Sequence, residues 1–110
     1  MSLPHVKSGQ VLDLMNLPSE MLGDSTFALV KTSQMEIIRM VLEEGKKIPQ
    51  HKVVGESSVQ CLQGKVIFKT EESEQTLEPG SWIYLDGSIP HSLEALANSV
   101  LLVTVLFEAH

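Results

Sequence analysis

HKVVGESSVQCLQG, residues 51–64, decides how the chain is read. A histidine leads, a polar turn around Gly55 follows, and from Ser57 the residues alternate up to Gly64. Alternation with a period of two marks a strand with one buried face, and the glycine marks the turn that ends it. Cys61 shares the parity of Ser57 and Val59 and is expected on the inner face. The same alternation points Glu56 to the opposite face unless a bulge at Gly55 rotates it inward.

Working outward, the same texture recurs. TFALVKTS (26–33), MEIIRMVLEE (35–44), SSVQCLQG (57–64), KVIFKTE (65–71), EQTLE (74–78), SWIYLDG (81–87), HSLEALA (91–97) and SVLLVTVLFE (99–108) are short strand-like runs. They are rich in β-branched and aromatic residues, and turn residues separate most of them. No long amphipathic helical pattern interrupts them, which predicts an all-β barrel or two-sheet sandwich. EESE (71–74) is expected at a solvated hairpin tip, and PGSW (79–82) as a turn opening a strand. The last run is apolar on both faces. One face is expected inside the barrel and the other against a second subunit, although a central strand of one sandwich gives the same pattern. The segment GQVLDLMNLPSEMLGD is expected to hold a short strand and a helical turn, broken by Pro18 and ended by Gly23.

At 110 residues with 43% hydrophobic content, one domain with a real core is expected over 1–110. Residues 1–25 would pack on the barrel or extend it. The net charge of −6 and scattered basic residues argue against nucleic acid and against an acidic membrane surface as partners. The most apolar stretch, VLLVTVLF (100–107), is far shorter than the roughly 20 residues a spanning helix needs. A single cysteine, Cys61, allows no internal disulfide, and MSLPHVKSGQ contains no apolar signal core, so a cytoplasmic protein is expected.

Four histidines are present. His5 and His110 lie near the termini and receive no role. His51 and His91 each follow a proline within two residues, Pro49 and Pro90, and each adjoins a strand. Proline fixes the chain direction just before the imidazole, which is one way to aim it at a fixed point. A phosphate-binding glycine loop, a serine elbow and a CxxC pair are all missing from the sequence. The carboxylates at 43, 44, 71, 72 and 74 read as solvated surface.

These residues resemble the cupin superfamily, in its small RmlC-like jelly-roll form. The family's first motif, G(X)5HXH(X)3–4E(X)6G, is matched by Gly45, His51 and Gly64. Its second, G(X)5PXG(X)2H(X)3N, is matched by Gly80 and His91. The resemblance spans about residues 35–107 and implies a double-stranded β-helix, or jelly-roll, barrel. In the family, three histidines and a glutamate usually hold iron, manganese, nickel or zinc. His51 and His91 are the metal-ligand candidates carried over. Val53 stands where the second histidine falls and Ser57 where the glutamate falls. Asp86, Ser88 and Ala95 replace the second motif's proline, glycine and asparagine.

Two imidazoles alone make a weak, uncharged site, whereas catalytic centres usually supply three protein ligands. Glu56 is the possible third donor, with Gln60 and Asp86 behind it. Cys61 reads as inert core. Met35, Met40 and Trp82 could wall a pocket near the histidines but are read as core filler. The expectation is a small cupin barrel, paired as a homodimer, that binds a small-molecule ligand in its pocket beside an incomplete metal site. The alternative is a metal-dependent enzyme of dioxygenase or isomerase type using His51, His91 and one further donor. A sensing module resembling the sugar-binding domains of bacterial regulators is a third possibility.

Overall fold

The computed structural model describes residues 6–17 and 26–107. All its regular elements are strands: β1 (Phe27–Lys31), β2 (Met35–Leu42), β3 (Lys47–His51), β4 (Ser57–Gln63), β5 (Val66–Thr70), β6 (Glu74–Leu77), β7 (Trp82–Leu85), β8 (His91–Ala95) and β9 (Ser99–Leu106). The antiparallel pairs nest: β2 with β9, β3 with β8, β4 with β7 and β5 with β6. This is one long hairpin with its tip between β5 and β6, rolled so that successive pairs fall in alternate sheets. β4 then pairs with β9, and β5 with β8, to complete sheets ordered β1-β2-β9-β4-β7 and β3-β8-β5-β6. The result is the jelly-roll barrel expected from the spacing of strands and turns.

Alternation fills the space between the sheets. Val59 and Cys61 of β4, Val66 and Phe68 of β5, Leu93 and Ala95 of β8, and Leu101 of β9 form one buried cluster with Leu42, Leu77 and Leu85. Phe68 is fully buried, worth about 1.5–3 kcal/mol relative to exposure. β9 lies between β2 and β4, and its inner face packs in the core through Leu101 and Val103. On its outer face, part of the cover comes from within the chain. Leu14, Met15 and Leu17 lie beside Leu62 and Val100, and Leu17 is buried.

The strand hops between sheets are clasped at both ends of the barrel. At one end Gly64, with φ of +87°, follows β4, and a Cβ there would overlap Ser99 Oγ. At the other end the backbone of Gly87 lies against the carbonyl of Val54, and Ser88 N–H donates to Val53 C=O at 2.7 Å. The turn at 71–73 joins β5 to β6, where a solvated tip was expected.

Three expectations are corrected. Lys47–His51 is a strand, although Pro49 and three neighbouring polar residues conceal it. It is the edge of the four-stranded sheet, and its register shifts between Ile48 and His51, the setting in which a strand tolerates proline. Residues 6–17 contain turns and no strand, and Pro18 and Gly23 lie outside the described residues, as do His5 and His110. Trp82 is not core filler but 60% exposed. It pairs with Gln60 on the outer face, while Ile83 and Leu85 take the inner positions. No helix among the described residues is long and apolar enough to cross a membrane.

Candidate functional site

His51 is the last residue of β3 and His91 the first of β8, so the nested hairpin brings the two motifs together as a register pair. Their ring centroids are 4.2 Å apart, edge to face at 61°. His91 is buried on the inner face, and its ring stacks on Phe68 at 5.2 Å and 10°. His51 is exposed and caps His91 at the barrel mouth. The pair thus has one wall in the core and one in solvent.

Both rings are held the same way. His51 Nδ1 lies 3.1 Å from the carbonyl oxygen of Pro49, and His91 Nδ1 lies 3.0 Å from that of Ile89. A carbonyl can only accept, so Nδ1 carries the proton in each neutral ring and Nε2 keeps a free lone pair. Burial pushes the His91 imidazole below its ordinary value, against the pull of the Ile89 carbonyl, and the neighbouring His51 adds to the depression. His91 is therefore a neutral acceptor at neutral pH. Beside it opens a cleft of about 200 Å³ walled by Gln50, Thr70, Glu71 and Pro90.

The structure does not bring Glu56 to this pair. Its carboxylate accepts from Tyr84 Oη at 2.8 Å on the outer face of the other sheet, beside Trp82 and Thr104. No bulge rotates it inward, because Ser57 takes the buried position and alternation fixes its neighbour. Asp86 lies 2.9 Å from the same hydroxyl. The two carboxylates, Glu56 first, push the Tyr84 phenol far above its usual value, since losing its proton would leave three anionic groups in contact. Gln60 lies on that outer face opposite Trp82. Cys61 is fully buried, burial raises its thiol, and it is inert core. The residue that sequence reasoning passed over is Glu71, which shares the His91 cleft; its place in an acidic turn gave no sign of that.

The donor set meets only part of what a metal centre in this fold needs. Imidazoles fixed through Nδ1 by backbone carbonyls are well prepared to offer Nε2 to a metal. Val53 has no donor atom, and Ser57 is a buried neutral hydroxyl. Among the described residues no group of three or more histidines, cysteines and carboxylates converges. Two neutral donors fall short of a resident transition-metal centre.

No family model and no curated protein sequence matches the chain. Solved structures do. A protein of unknown function from Streptococcus pyogenes superposes with a TM-score of 0.77 at 23% identity, covering 98% of this chain and 96% of that one. A cupin superfamily protein from Desulfitobacterium hafniense gives 0.80 at 15% identity, covering 98% and 100%. Salicylate 1,2-dioxygenase from Pseudoaminobacter salicylatoxidans gives 0.67 at 17% identity, covering 74% of this chain and 24% of that one. The chain has the cupin fold.

Proposed function

We propose that the chain is a small-molecule-binding cupin whose ligand is held at the barrel mouth by His51 and His91 without a resident transition metal. The observation that carries this reading is the matched pair of Nδ1–carbonyl bonds, which leaves two Nε2 acceptors side by side. Two imidazole acceptors beside a cleft walled by Gln50, Thr70, Glu71 and Pro90 suit a small molecule with hydroxyl or N–H donors. Saturation-transfer NMR against simple sugars, sugar acids and hydroxybenzoates, repeated on His51→Ala and His91→Ala, tests it. Binding that depends on His91 supports the reading, and binding indifferent to both histidines refutes it.

The second reading is metal-dependent enzymology of dioxygenase or isomerase type. The same Nε2 lone pairs favour it, with His51 and His91 holding an ion whose remaining donors come from substrate or water. The metal would polarise a bound oxygen atom; the chain itself would contribute only the two imidazoles, with His91 backed by Phe68.

We further propose that a second copy covers the open half of the outer face. Trp82, Tyr84 and Leu106 are exposed there, next to the half that Leu14 and Leu17 cover. A twofold contact would set aromatic residues against their own copies. Light scattering of the parent and Trp82→Glu tests this: a dimer that the substitution dissociates is expected, and a monomeric parent refutes it.

A further inference from the structure

We infer that the outer face of the five-stranded sheet carries a second binding site, for a small carboxylate ligand seated on Arg39 and separate from the histidine pair. Arg39 is the only arginine of the chain. It sits in the middle of β2, between Phe27 of β1 and Leu102 of β9. Its neighbour Met40 packs on the core, so Arg39 takes the outer face. The N-terminal segment lies over it. Leu14, Met15 and Leu17 share with Arg39 a gap of only about 40 Å³.

Two guanidinium nitrogens, Nε and Nη1, are buried, and among the described residues neither has a hydrogen-bond partner. A guanidinium does not give up its proton, so these donors cannot be silenced by titration and call for an acceptor. Among the described residues none of the nearby carboxylates pairs with Arg39. Asp13 spends its carboxylate on Met15 N–H and the Asn16 side chain. Glu43 and Glu44 are exposed, and among the described residues the one ion pair joins Lys69 to Glu74.

Arg39 also lines a cleft of about 430 Å³ with Glu43, Glu44, Gln63 and Asn98. That volume is in the range of small-molecule sites, and the guanidinium, turned from its partnerless burial into the cleft, offers a planar fork that matches a carboxylate in two-point contact. Asn98 adds a second donor: its Oδ1 accepts from Glu44 N–H at 2.9 Å, and among the described residues its amide NH2 has no partner. The two glutamates select further. Their charge repels a dianion and favours a ligand with an ammonium at its far end, which makes an amino-acid-like zwitterion the best fit.

The single arginine gives a direct readout, because the 15N spectrum of the full chain contains one Arg Nε–Hε signal. Titration with glycine, acetate and malonate is expected to move that signal saturably, with glycine binding most tightly and malonate least. Arg39→Lys keeps the charge but loses the fork, and should weaken glycine binding by at least roughly tenfold, read from the Asn98 side-chain amide. If Arg39→Lys fails to fold, Asn98→Ala should weaken it while leaving the arginine signal visible. The proposal is overturned if no probe moves the signal at tens of millimolar. It is also overturned if Glu20→Gln/Asp24→Asn moves the signal in ligand-free protein as far as glycine moves it in the parent, since the chain's own carboxylate would then be the partner.

Discussion

Gly64 and Gly45 have nearly the same backbone conformation, φ of +87° and +88°, and opposite surroundings. Around Gly45 a Cβ would meet nothing within 4 Å. At Gly64 it would overlap Ser99 Oγ and crowd Asn98 O at 2.5 Å and Ser99 Cα at 2.7 Å. Ser99 cannot easily yield. It is buried, and its hydroxyl accepts from Lys65 N–H at 3.0 Å and donates to Ala97 C=O at 2.7 Å. Alanine at either position costs about 1–2 kcal/mol for the left-handed conformation, less about 0.4–1 kcal/mol from a stiffer unfolded chain. At Gly64 the overlap adds about 1–3 kcal/mol. Gly45→Ala should therefore lose about 1 kcal/mol and Gly64→Ala about 2–4 kcal/mol. Urea unfolding measures both. With a slope on the order of 2 kcal/mol per molar, the midpoints should differ by roughly 1 M. Equal losses would refute the clasp between the β4–β5 and β8–β9 connections, and with it the nested-hairpin account of the barrel's closed end.

Three further outcomes are expected. The folded His91 ring binds a proton less readily than the unfolded one, so its contribution to stability is full above pH 6.5 and declines as pH falls through the lowered folded value. His91→Phe should flatten the urea midpoint between about pH 7 and 5 relative to the parent. Ser88 holds a φ of 64° where the resemblance places a glycine, so Ser88→Gly should stabilise by about 0.5–1 kcal/mol, seen as a rise of a few degrees in Tm. Phe68→Ala should cost about 3–5 kcal/mol in urea unfolding, and NMR titration should show the His91 imidazole moving back towards its ordinary pKa as water reaches the ring.

The half-buried strands were legible in sequence because alternation is what a sheet with one wet face requires. β3 was not, since an edge strand with a bulge needs neither alternation nor a free N–H at Pro49. Pairing was also invisible: nothing local in KIPQH or HSLEA says that the two segments lie side by side, and only the spacing of both motifs pointed to it. His51 and His91 were thus identifiable, but their common Nδ1 anchorage depends on carbonyls that any residue could present. Glu56 was placed correctly by parity alone, and the bulge that would have rescued it does not occur. Trp82 was misread because WIYL is apolar on both faces, so composition could not choose between them. Arg39 carried a signal that went unused, a single guanidinium set among the apolar residues of MEIIRMVL.

Metal stoichiometry tests the central reading most directly. Protein prepared without a histidine tag and loaded anaerobically with iron(II) or nickel(II), then desalted, should retain far less than one ion per chain, and no more than His51→Ala retains. One ion per chain in the parent, lost in His51→Ala, would contradict the two-donor account and make the metal-dependent enzyme the correct reading.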